Sequence, residues 1–213
     1  MMPPALPHRF CWSRFGTEAG EPIERILQRK ELERQRNGGI FLWGIGNALG
    51  PSMRALLQTE SAPEVVFSPI ASPPKTSDVS PPAIVAWASA ADLDGAPVAL
   101  PQWSIVTSRA PSPARAPRHY ALVCFSSEPL TLRAHHHTVG IGSVRNILTG
   151  SKVGASQVTA VVTQVGDSST AGLSYPVALR AHLVAPHFVA LSDPRLLHQR
   201  TDGIPIARRT TAA

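Results

Sequence analysis

The chain has 213 residues, 43% of them apolar and 16% charged, which is enough hydrophobic material for one buried core and excludes wholesale disorder. Its 21 prolines and 15 glycines argue against a helical bundle, since proline is barred from helix interiors and central strands. The net charge of +6 is confined to the second half: residues 1–110 carry ten cations and ten acids, residues 111–213 ten against four.

That asymmetry favours an anionic partner such as nucleic acid. Seventeen of the 20 cations are Arg, the better fork for phosphates and base edges. No apolar run reaches the ~18 residues of a membrane span. The start, MMPPALPHRF, lacks the basic-then-apolar order of a signal peptide. A cytoplasmic protein is expected. Cys11 and Cys124 lie far apart, and Cys124, within ALVCF, reads as a small buried hydrophobe.

Residues 1–9 are Pro-rich and expected to be irregular, and FCWSRF (10–15) opens a first strand. Pro22 suits a helix start, and Ile23, Ile26 and Leu27 give the i, i+3, i+4 stripe of a half-buried helix. The rest of that helix, QRKELERQR, reads as charged and solvated, and Asn37-Gly38-Gly39 ends it. A strand, IFLWG (40–44), follows directly. Gly50-Pro51 begins a second helix with Met53, Leu56 and Leu57 on its inner face, and VVFS (65–68) is the next strand.

Residues 68–82 form a long Pro-rich loop, and 110–118 a second loop. Between and after them, AIVAWASA, WSIVTS, HYALVCFS, VTAVVTQV and YPVALRAHLV have the length and composition of strands. Residues 185–200 read as a short helix or two turns, and 201–213 as a loose tail. These elements predict one α+β domain over residues 10–200: a small, mostly antiparallel β-barrel with two flanking helices.

No hydrolase, Walker, zinc-protease or paired-cysteine motif occurs. Gly44, Gly46 and Gly50 miss the spacing of the dinucleotide fingerprint. His135 and His137 would share a face of an extended segment, but no nearby Cys, Asp or Glu completes a site. Neither a cofactor nor a metal is expected. Trp43 precedes a Gly-rich strand-to-helix junction that also holds Asn47. A flat indole beside an amide with donor and acceptor suits a planar heterocycle, although a core anchor fits Trp43 equally well. Trp12 and Ser13 repeat the theme on the first strand, and Ser108, which with Arg109 ends a later strand, is a further candidate for the base pocket. Arg109, Arg115, Arg118, Arg145 and Lys152 are the candidate phosphate contacts.

The order of FCWSRF, a helix, GIFLWGIGN, a further helix and the final YPVALRAHLV with its Pro-punctuated sequel resembles the PUA-like superfamily, its EVE, YTH and ASCH branches above all. The resemblance implies a small barrel that binds a modified or flipped nucleobase in an aromatic pocket. Trp43 would be a pocket wall, Asn47 an edge reader, and Trp12 and Ser13 first-strand pocket residues. The expected function is a module binding DNA or RNA at an unpaired or flipped, modified base. Two alternatives stand beside it: a hydrolase of a modified base or nucleoside on the same barrel, and a protein-interaction subunit of a bacterial defence or nucleic-acid-processing system. The hydrolase would need a Lys, and the chain has only Lys30, Lys75 and Lys152.

Overall fold

The computed structural model describes residues 5–16, 22–45, 48–70, 83–99, 104–106, 119–132, 137–140, 143–153, 160–166 and 174–198. Strand β1 (Arg9–Phe15) leads to helix α1 (Ile23–Arg36), β2 (Ile40–Ile45), helix α2 (Gly50–Thr59) and β3 (Glu64–Pro69). Then come β4 (Ala83–Ala91), β5 (Ser104–Val106), β6 (His119–Phe125), β7 (Thr138–Gly140), β8 (Val144–Asn146), β9 (Val161–Val165), β10 (Ser174–Pro176) and β11 (Leu179–His198).

Nine strands form one sheet with the order β2-β6-β11-β3-β1-β9-β8, and β4 and β5 branch from the far half of β11. Pairing is antiparallel throughout except for β1 with β3. Among the described residues β2 and β8 do not pair, so the sheet is open and the closed barrel expected from the sequence is not formed. The α+β class and the antiparallel bias hold.

The curved sheet wraps a main core. Cys11, Phe15, Phe41, Trp43, Val65, Phe67, Cys124 and Val162 contribute from the strands, and Ile26, Leu27, Met53 and Leu56 from the two helices. The alternate residues of the same strands, Phe10, Trp12, Val66 and Val161, form a second core on the opposite face with Val139 and Val177. That face is covered by the two-stranded ribbon of β7 and β10, with Tyr175 packed against it.

Two sequence expectations change. Residues 185–198 continue β11 instead of forming a helix or turns. The pairing of β11 with β6 shifts register between Leu183 and Phe188, so Pro186 falls in the irregular stretch. Beyond Leu191 β11 pairs with β4 alone, so Pro194 has an edge free of ladder bonds among the described residues. Residues 143–153 contain β8 and a tight turn at Asn146–Gly150. Lastly, the charged half of α1 is only partly solvated: Arg29, Lys30 and Glu33 are buried with Ile26 and Leu27, while Gln28, Gln35 and Arg36 are exposed.

Candidate nucleic-acid interface

The period of a strand separates the two first-strand candidates. Successive side chains point to opposite faces, so Ser13 joins the main core face and Trp12 the other. On the first face Trp43 Nε1 donates to Ser13 Oγ at 3.1 Å. Its ring lies 4.5 Å from Phe67 and 5.4 Å, edge-on, from Phe15, centroid to centroid. Trp43 is 6% exposed. Its face is occupied by the protein's own aromatics and its single donor is used, so this indole is a core anchor and not an open platform.

Trp12 is likewise enclosed, with Nε1 donating to Ser68 Oγ at 2.9 Å. Arg14, two residues on and on the same face, places its guanidinium 3.7 Å from the Tyr175 ring centroid. This contact clamps the β7–β10 ribbon to the sheet. Asn47, Ser108, Arg109, Arg115, Arg118, His135 and His136 lie outside the described residues.

Arg145 and Lys152 are brought together. Arg145 sits on β8, the chain turns at Asn146–Gly150, and Lys152 returns to bridge Arg145 directly. The Asn146 side-chain oxygen accepts the N–H groups of Leu148 and Thr149 and shapes that turn. Both cations are exposed. Arg145 Nη1 donates to the Gly150 carbonyl at 3.0 Å, which fixes the direction of the guanidinium. Gly166 leaves room for it, because a Cβ there would meet Arg145 Nε at 3.3 Å.

The same row continues inward. Arg145 is the register partner of Gln164 on β9, and Gln164 is the partner of Arg9 on β1. Directly opposed residues in a sheet share a face. Arg9, Gln164, Arg145 and Lys152 therefore form one line across the sheet. Arg9 and Gln164 were not read as site residues. The one available signal was alternation: Arg9 precedes the apolar run FCWSRF and shares the face of Cys11 and Ser13, but which strand lies beside it is a property of topology.

Elsewhere several described charges are already paired. Arg180 makes a two-pronged pair with Glu64 at 2.8 and 3.0 Å. Lys30 donates to Glu33 at 2.8 Å inside the core, and burial lowers the Lys30 pKa despite that partner. Burial pushes the Cys11 thiol up to about 12, so it is held as an inert thiol. Among the described residues no group of three His, Cys, Asp or Glu is placed to hold a metal. No described helix is long and apolar enough to cross a membrane.

No protein-family model matches the chain, and neither a curated protein nor a solved structure is detectably similar to it.

Proposed function

We propose that the chain is a cytoplasmic, PUA-like nucleic-acid-binding module that holds an unpaired strand chiefly by its phosphates. The observation that carries this reading is the Arg145–Lys152 pair. It comprises two exposed cations on facing arms of one tight turn, one of them held in place by a backbone carbonyl. The pair lies in the half of the sequence that holds all the excess positive charge. Paired cations at a fixed spacing suit a phosphate backbone, whose binding is electrostatic and independent of sequence. Selection of a flipped or modified base belongs to the same proposal. It falls to surfaces other than the Trp12 and Trp43 rings, both of which are buried.

The test is fluorescence anisotropy of a labelled single strand, a mismatched duplex and a matched duplex as salt rises from about 50 to 200 mM. The single strand should bind best, with affinity falling as salt rises. Changing Arg145 and Lys152 together to Ala should flatten the log–log slope by about one to two units, at ~0.7 per single-strand phosphate contact. Affinity indifferent to salt would overturn the reading.

A further inference from the structure

We propose that Arg9 and Gln164 complete this interface, and that the row Arg9–Gln164–Arg145–Lys152 is a track along which a single strand of nucleic acid crosses β1, β9 and β8. The inference rests on the nucleic-acid reading above and deepens it. It names a single strand as the substrate class and assigns roles to two residues of the first and ninth strands.

The register sets the geometry. Adjacent strands lie ~4.8 Å apart, so Arg9 and Arg145 are separated by about 10 Å and Lys152 lies about 5 Å further on. The three cations form a line and not a cluster, which suits a chain of phosphates better than one anion. A flexible single strand can follow such a line through backbone contacts alone.

Two further observations point to a ligand. First, no described carboxylate pairs with Arg9, Arg145 or Lys152, whereas Arg34, Arg54 and Arg180 each have an acidic partner. Among the described residues the row thus has no carboxylate to compensate its charge, unlike Arg34, Arg54 and Arg180. Second, the buried Arg9 Nε has no hydrogen-bond acceptor among the described residues. A buried donor left unmet is costly, and a rotation of the Arg9 side chain towards the row lets a phosphate oxygen supply the missing acceptor. Gln164, half-buried between Arg9 and Arg145, carries both a donor and an acceptor. It is placed to touch the sugar or base edge between two phosphates.

The experiment uses the full chain and a labelled oligothymidylate of about ten nucleotides, within the usual span of a single-strand site. Arg9→Gln should weaken binding and reduce the salt slope by about 0.7, the value of one lost contact. Arg9→Lys should keep the slope. Gln164→Ala should leave the slope unchanged while narrowing the difference in affinity between thymidylate and adenylate strands. Because Arg9 is partly enclosed, a second measurement uses the unaltered protein. Bound oligonucleotide should slow phenylglyoxal modification of Arg9, read by mass spectrometry. An unaltered slope in Arg9→Gln and no protection of Arg9, with Arg145→Ala/Lys152→Ala still weakened, would overturn the track and leave the nucleic-acid reading standing. No salt-dependent binding by the unaltered protein would overturn both. Arg9-dependent binding to phosphatidylserine vesicles, with none to the oligonucleotide, would assign the row to a lipid surface and overturn the proposal.

Discussion

The carboxylate of Glu33 accepts the backbone N–H of Leu42 at 3.0 Å. A helix residue thereby closes the outer edge of β2, the terminal strand of the sheet. An unpaired edge invites pairing with another chain. Here α1 covers it, and the same carboxylate takes Lys30 Nζ on its other oxygen. Glu33 is fully buried. Removing it would leave a buried ammonium and a buried N–H without this acceptor.

Glu33→Ala should therefore destabilise the protein by about 3–5 kcal/mol, the usual result of breaking a buried ion pair from one side. Glu33→Gln keeps an acceptor for Leu42 and should lose less. Urea unfolding of both variants checks this. Equal losses would show that the charge, and not the Leu42 bond, is what matters.

Acid should weaken the fold in two steps. Burial lowers the pKa of His119 and His187 below the ordinary 6.5, so both stay neutral in the folded state where the unfolded chain would bind protons. Their contribution to stability is lost as pH falls from about 6.5 through the lowered values. Glu31 is held down to about 2, chiefly by the Arg34 side chain and also by the Leu130 N–H. Its contribution is complete above the ordinary 4.5 and disappears as pH falls towards about 2. Melting temperatures from pH 8 to pH 2 should show both declines. Glu31→Gln should flatten the lower one alone. His187→Asn should reduce the upper one, and it suits the positive φ of 66° at that position.

The helices were legible because their ends are chemical. Pro22 starts α1 and Asn37-Gly38-Gly39 stops it, and the apolar stripes chose the inner faces. The alternation of β1 was legible too, and it already implied that Trp12 and Ser13 cannot line one pocket. The path of β11 through Pro186 and Pro194 was not legible, because a proline is tolerated only where its missing N–H has no ladder partner, and pairing decides that. The buried state of Lys30 and Glu33 was hidden for a similar reason. Local periodicity marks them as polar, and the N–H of Leu42, nine residues away, is a partner for the buried carboxylate that periodicity does not reveal. The basic row was half visible. Arg145 and Lys152 stand out in the sequence, but Arg9 joins them only through the β1–β9–β8 register.

Trp43 should behave as a core residue. Trp43→Ala should cost about 3–5 kcal/mol of stability, and Ser13→Ala about 1 kcal/mol for the hydrogen bond that the indole N–H loses. Trp43→Phe should recover much of the packing and none of that bond. Oligonucleotide affinity, measured well below the melting temperature, should be unchanged in Trp43→Phe. A stable Trp43→Phe protein with weakened binding would restore Trp43 as a ligand contact.

The last prediction concerns the turn that brings β2 back under α1. Gly39 has φ of 99°, and its N–H donates to the Arg34 carbonyl at 2.8 Å. A Cβ at this position would lie 2.5 Å from Cε2 and 2.9 Å from Cδ2 of Phe125. Gly39→Ala must therefore adopt an unfavourable backbone angle and displace either the Phe125 ring or the turn. The first cost is about 1–2 kcal/mol and the second about 1–3 kcal/mol. The neighbouring Gly38 also has positive φ, 62°, but a Cβ there would meet nothing within 4 Å. Gly38→Ala should cost only the backbone share. Gly44, with open space and no positive φ, should accept Ala with little change. Denaturation midpoints should fall in the order Gly44→Ala, Gly38→Ala, Gly39→Ala, the last being lowest. Equal effects at Gly38 and Gly39 would mean that β2 does not approach Phe125 of β6 as closely as the structure places it.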